Sequence, residues 1–289
     1  MTMPISMADW YYISNLNTIK NEGVWDEDPR PKWNDGMAAR SKFITGVFET
    51  YNVAMGDFPI PTLRNTAVKT GIREIFWIFQ KQTNSLKVAR ELGVNWWNSW
   101  DIGDGTIGSR YGNTVFRYAL LDGLLYGLEN EPFSRRHIIN LYQEEEFNDS
   151  PGLFPCAYET LWSIRPGYEE KEYFLDMTLV QRSNDYIVAG YINKIQYVAL
   201  MMMIVGHLNN EKNDNRYIVG KFRHLVQNLH VYDRHMDALE EILSRAPIKD
   251  VHPRIVLKEN KNFYDYSIDD FEVIDNVGEK LSSPLEVAI

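Results

Sequence analysis

The chain has 289 residues, 44% of them apolar and 24% charged, with 30 Lys+Arg against 40 Asp+Glu for a net charge of −10. That length suits one large domain or two small ones at ~150 residues each, and the composition excludes a disordered, collagen-like or coiled-coil chain. An acidic chain is not built to coat DNA or an anionic membrane, because that affinity comes from summed positive charge, so any bound anion must be met by arginines gathered locally.

In chain order, residues 8–21 carry apolar groups at helical spacing. Residues 25–37, WDEDPRPKWNDGM, read as a charged loop. Residues 43–55 read as a strand and 66–81 as a helix with one apolar side. Residues 101–112 hold four glycines and read as loop. In 154–164, Cys156, Tyr158, Thr160, Trp162 and Ile164 alternate at period two, a strand pattern. RPGY at 165–168 reads as its turn and 173–182 as the partner strand. Residues 193–208 are apolar nearly all round, which predicts a helix buried on every side. A strand at 225–232 and a helix at 234–244 follow. Strands and helices without strict alternation favour α+β over a doubly wound fold. No repeat or linker divides the chain, so residues 1–289 are expected to form a single large domain.

The first residues show no basic end followed by an apolar run. The longest apolar stretch, Tyr197 to Val205, is far short of the ~20 residues that span a bilayer. A soluble, cytoplasmic protein is expected. Cys156 is the one cysteine, so no internal disulfide can form and an oxidising compartment offers this fold nothing.

Few residues could carry chemistry. Cys156 follows Pro155 and is either a small buried hydrophobe or a nucleophile. A nucleophile needs a thiolate, which a nearby arginine would favour. Arg182 in QRSND and the pair Arg135-Arg136 in SRRH are the candidates. The pair reads either as a phosphate clamp or as a solvated pair answering Glu129, Glu131 and Glu144 to Glu146. Asn193 opens the buried helix, where an amide could cap it or read the edge of a base. His230 and Tyr232 share one strand face. His235 has no cysteine or carboxylate at metal-ligand spacing, so a zinc site is rejected. GDGTIG at 103–108 is a weak phosphate signal, and no Walker or dinucleotide fingerprint appears.

Taken in order, PCxYETxW around Cys156, QRSND at 181–185, Asn193 ahead of IQY, LHVYDRH at 229–235, SRRH at 134–137 and the terminal EVAI resemble the thymidylate synthase family. WWNSW at 96–100, DGTIGSRYG at 104–112 and IREIFWIFQ at 72–80 are similar to family segments too. The resemblance runs from about Trp25 to Ile289 and implies a thymidylate synthase-like fold, a mixed β-sheet with a buried central helix and surrounding helices.

The activity implied is reductive methylation of dUMP to dTMP with 5,10-methylenetetrahydrofolate as carbon and hydride donor and no metal. The alternative is a dUMP 5-hydroxymethylase that uses water in place of hydride. A non-catalytic nucleotide-binding member of the fold would need neither the thiol nor an acid that organises water. By resemblance Cys156 is the nucleophile that adds to C6 of the pyrimidine. Arg30, Arg182 and Ser183 bind the phosphate, and Arg135 and Arg136 are donated across a homodimer. Asn193 reads uracil, and His230 and Tyr232 hold the ribose. Glu74 and Tyr111 organise proton transfer through water. Asp185 holds the pterin, Trp97 and Trp100 wall the folate, Arg64 stands near its tail, and Ile289 ends the segment that closes over it. Four arginines around a dianion supply charge-assisted bonds that the net charge would otherwise deny. No nucleic acid or membrane partner is implied.

The chain also departs from the family. Gly-x-Pro-Phe-Asn is replaced by Ala189-Gly190-Tyr191-Ile192-Asn193. Ala157 stands where many members have histidine, and Arg64 where lysine is common. The hairpin from Arg165 to Phe174 looks longer, and Phe154 fills a normally smaller position.

Overall fold

The computed structural model describes residues 5–289. Among the described residues there are eight α-helices: α1 (Met7–Glu22), α2 (Val68–Ile75), α3 (Leu86–Glu91), α4 (Gly112–Arg117), α5 (Leu120–Asn130), α6 (Glu144–Asp149), α7 (Gly190–Lys212) and α8 (Met236–Ser244). The main sheet holds β1 (Val24–Trp25), β2 (Ser41–Asn52), β3 (Ile138–Asn140), β4 (Ala157–Pro166), β5 (Tyr173–Asp185) and β6 (Tyr217–Tyr232). A separate ribbon pairs β7 (Arg254–Leu257) with β8 (Phe271–Ile274).

The six strands lie in the order β1-β2-β6-β5-β4-β3. Only β5 and β6 run parallel; the other pairs are antiparallel. A parallel pair needs a long crossover, and α7 supplies it. This helix is buried from Lys194 through Asn209, as its all-round apolar sequence predicts. At its start, a side-chain carbon on Gly71 of α2 would meet Ile192 and Gln196 at 3.5 Å, ordinary contact distance. The α2 helix thus packs against the first turns of α7.

Buried polar contacts fix how the helices sit on the sheet. Ser6 caps α1 by accepting from the Asp9 N–H at 3.0 Å, and Asp9 accepts from the Thr62 N–H at 2.8 Å. Lys194 pairs with Glu49 of β2 at 2.6 Å, with both side chains essentially inaccessible. Tyr51 and Tyr186 hydroxyls and the Asn15 amide complete the coordination of that carboxylate. A buried pair persists only when further hydrogen bonds offset its desolvation, and these three supply them.

The α+β expectation and the central buried helix are borne out. Several boundaries move. The strand expected over 43–55 begins at Ser41 and gives way after Asn52 to a short 3₁₀ turn. The helix expected over 66–81 is α-helical only to Ile75, then widens into a π-helix over Phe76–Gln80. Such widenings recur at functional sites. The period-two face from Cys156 to Ile164 holds only from Thr160: a register shift between Ala157 and Glu159 leaves Cys156 ahead of the strand. The partner strand runs three residues beyond 182, so all of QRSND lies within β5. The strand expected over 225–232 starts at Tyr217, and helix 234–244 is preceded by a 3₁₀ turn over Asp233–His235.

Candidate active site

Cys156 sits in the loop that enters β4, mostly covered by its surroundings. Its N–H donates to the Tyr111 hydroxyl at 3.1 Å. Tyr111 holds φ +49°, a conformation that costs a non-glycine residue energy and persists where surroundings enforce it. Next to it, Gly112 is required by packing, since a side chain there would come within 2.3 Å of the Thr83 carbonyl.

Arg182 reaches back from β5 to this loop. Its Nε donates to the Pro155 carbonyl at 2.9 Å and its Nη2 to the Phe154 carbonyl at 2.7 Å. The same Nη2 lies 3.5 Å from Cys156 Sγ. Burial pushes the thiol above its ordinary value, against the lowering influence of Arg182 and Arg30. The arginines thus act on the thiol in the expected direction, toward thiolate, and desolvation outweighs them.

The ends of β5 and β6 complete this wall. Their parallel register sets Asp185 beside His230. His230 is buried, with Nδ1 2.9 Å from Asn228 Oδ1, and burial pushes it down. Its ring meets Tyr232 at 5.0 Å. Burial together with the Asp185 and Cys156 charges raises Tyr232, while Arg30 acts against them. Asp185 accepts from the Val188 N–H at 3.1 Å and lies 4.0 Å from His235 Nδ1. Ser183 is half-buried between Arg182 and Asp185.

Glu74 closes the opposite side. Trp96 Nε1 donates to it. Burial lifts its carboxyl to about 7, against the lowering influence of Trp96, Trp97 and Gln196. The Trp97 ring packs on Tyr111 at 5.2 Å and on Trp100 at 5.4 Å. Glu74, Trp97, Tyr111 and Cys156 thus form one continuous wall. Asn193 does not cap α7 as one reading of the sequence had it. Ala189 is the N-cap, and Asn193 lies in the first turn with Oδ1 accepting from Gln181 and Asn184 at 3.2 Å each.

The remaining candidates stand apart from the thiol. Arg135 and Arg136 are exposed on the segment before β3, and neither forms an ion pair among the described residues. The acidic run proposed to answer them does not: Glu146 is buried and accepts from the Thr114 hydroxyl at 2.5 Å. Arg64 donates to the Ile187 carbonyl and lines a cavity of about 500 Å³ with Tyr12, Val188, Ile192, Ser282 and Leu285. Tyr191 lines the same cavity, and its hydroxyl donates to the Ala8 carbonyl at 2.6 Å. The terminal tail is fastened to the 25–37 loop. Lys32 N–H donates to the Ile289 carbonyl at 2.7 Å, and the Ile289 N–H returns a bond at 3.0 Å.

Sequence reasoning missed Trp33, which packs on Tyr232 at 5.5 Å, and the amides of Gln181 and Gln196. Gln181 lay within a quoted motif, but nothing in its spacing separates a network amide from a strand end. Trp96 was quoted in WWNSW and given no role.

A thiol in contact with Arg182, a buried carboxyl near neutrality and an aromatic wall can support nucleophilic and acid–base chemistry. The thymidylate synthase family profile matches residues 10–285. The thymidylate synthase of Lactococcus lactis subsp. lactis is 43% identical over 288 residues, 99% of this chain and 100% of that one. That of Streptococcus suis is 44% identical over 275 residues, 94% of this chain and 95% of that one. A solved structure, thermostable thymidylate synthase A from Bacillus subtilis, superposes with a TM-score of 0.84 at 31% identity over 98% of this chain and 99% of that one. The chain belongs to the thymidylate synthase family, whose named members are methyltransferases, and it is an enzyme.

Proposed function

We propose that the chain methylates dUMP to dTMP, with 5,10-methylenetetrahydrofolate as co-substrate. The observation that carries the nucleotide half is the contact of Arg182 with the Cys156 thiol, on which the Arg30 charge also acts. Arg30, Arg182 and Ser183 hold the phosphate. His230 and Tyr232 hold the ribose, and Asn193 reads the uracil. Cys156 sulfur forms the bond to C6 as its proton leaves, which makes C5 carbanion-like. A phosphate dianion near the arginines leaves the burial cost on the thiolate in place, so Cys156 must be deprotonated against that cost during turnover. Glu74, with its carboxyl near neutral pH, is suited to relay protons in either direction.

The residues around the second half fit a reduced folate. Trp97 and Trp100 offer an aromatic wall, and the Trp97 Nε1 donor is buried without a full hydrogen-bond partner. Asp185 offers a carboxylate for a pterin, and Arg64 a cation toward the tail. When bound, the folate supplies the one-carbon unit and the hydride. The fastened tail ending at Ile289 supports methylation over hydroxymethylation, because excluding water is what separates the two outcomes. We further read residues 1–289 as one catalytic domain, working as a cytoplasmic homodimer in which Arg135 and Arg136 serve the partner's phosphate site. Their exposure and lack of acidic partners support this. Among the described residues no helix is long and apolar enough to cross a membrane.

Binding and turnover are separable. The intact protein mixed with dUMP and the folate should consume both. Cys156→Ala should still bind dUMP and consume neither. An intact protein that binds dUMP and never turns it over would support a purely binding role instead.

A further inference from the structure

The amide of Asn193 is held by a buried chain of hydrogen bonds whose direction can be worked out. Gln181 Nε2 lies 2.9 Å from the Ser183 backbone carbonyl and 3.2 Å from Asn193 Oδ1. A backbone carbonyl can only accept, so the Gln181 nitrogen must face Ser183 and its oxygen must face the other way. That oxygen lies 2.9 Å from His224 Nε2. Two acceptors cannot pair, so His224 carries its proton on Nε2. Asn184 Nδ2 donates to the same Asn193 Oδ1, and Asn193 Nδ2 donates to Gln196 Oε1 at 3.0 Å. Gln181, Asn184, Gln196 and His224 are all buried.

Among the described residues the His224 side chain makes no other polar contact. It lies on β6 between Glu49 of β2 and Leu179 of β5, and its Nδ1 has no partner. Burial and the nearby Lys194 charge both hold the ring neutral. One N–H is therefore available, and Gln181 receives it.

We propose that His224 is a positioning residue for base recognition: its Nε2–H locks Gln181, and Gln181 with Asn184 fixes the Asn193 amide with Oδ1 inward. The proposal rests on the reading of Asn193 as the residue that meets the base. Both Oδ1 lone pairs are engaged and one Nδ2 hydrogen goes to Gln196. Among the described residues the second Nδ2 hydrogen of Asn193 has no partner. An N–H pairs with the C4 carbonyl oxygen of uracil and opposes the C4 amino group of cytosine. Discrimination between the two bases is thus set by a histidine that touches neither.

The test compares full-length His224→Leu, His224→Gln and Asn193→Ala. Dissociation constants for dUMP and dCMP are measured by calorimetry, and KM and kcat by turnover. His224→Leu should weaken dUMP at least about fivefold and narrow the dUMP-to-dCMP ratio, with kcat changed less than about twofold. His224→Gln keeps a donor and should restore the ratio. A folded His224→Leu protein with unchanged affinity and ratio overturns the proposal. If His224→Leu fails to fold, Gln181→Glu decides, since a carboxylate cannot donate to Ser183 or Asn193. It should lose discrimination, and intact discrimination overturns the proposal. Asn193→Ala separates the two layers. If it abolishes the ratio while His224→Leu leaves it intact, only the role of His224 fails. If neither changes the ratio, the base-reading assignment of Asn193 fails.

Discussion

The two halves of the site are built from different material. The proposed nucleotide half stands on the ends of β5 and β6, which carry Arg182, Ser183, His230 and Tyr232. The folate half is assembled from the π-widened end of the α2 segment, the Trp96–Trp100 turn, the Arg64 loop and the terminal tail. Strand ladders hold side chains through many backbone bonds, whereas loops and tails are held by a few local contacts. The wall beside the thiol is therefore held by strand ladders, and the proposed folate side by local contacts of loops and the tail.

Predictions on the strand-held half come first because their effects are largest. Cys156→Ala should lower kcat on the order of 10⁴-fold or more, checked by steady-state turnover. A smaller loss would remove the thiol from the centre of the account. Lys194→Met leaves Glu49 charged and unpaired in the core, and should cost about 3–5 kcal/mol in denaturant unfolding. A change under 1 kcal/mol would mean that the pair does not anchor α7.

Glu74 belongs to the boundary between the halves, and its effect has opposite signs on stability and activity. Its folded value of about 7 lies above the ordinary carboxyl value near 4.3. The folded state therefore holds the proton where the unfolded state releases it. Stability is highest below about pH 4.3 on this account, and falls as pH rises toward 7. The difference is on the order of 3 kcal/mol by pH 7 and above. Glu74→Gln should recover part of that at neutral pH in a thermal melt while lowering turnover. If Glu74→Gln melts lower than the parent at pH 8, its carboxyl is not burdened by burial.

The smallest expected effect is at the tail. Arg234 meets Glu286 at 3.0 Å and also Asp35 at 2.6 Å, all partly exposed. Arg234→Ala should change stability by no more than about 1 kcal/mol. It should raise the KM for the folate more than that for dUMP. Equal rises would erase the distinction between the halves.

The same distinction explains what the sequence revealed. Elements with a period, such as the buried helix from 193 and the strand before Arg182, were legible because burial imposes the pattern. Their ends were not: QRSND reads as a strand end by polarity, yet it lies in β5 because its polar side chains line a site. The break after Ile75 was invisible because a π-turn preserves apolar composition. The short α3, α4, α5 and α6 give no clear signal, since six to eleven residues offer little periodicity to read. Cys156 and Arg182 were paired from residue type alone, but the dominance of burial over the arginines needed the packed structure. The amide chain through His224 was hidden for a similar reason. Its members sit at 181, 184, 193, 196 and 224, and only the fold brings them together.

The central claim is reductive methylation, and the most direct test identifies both products of one reaction by mass. The protein incubated with dUMP and 5,10-methylenetetrahydrofolate should yield dTMP and dihydrofolate in equal amounts. Hydroxymethyl-dUMP with tetrahydrofolate would contradict it, and would mean that the fastened tail does not keep water from the methylene.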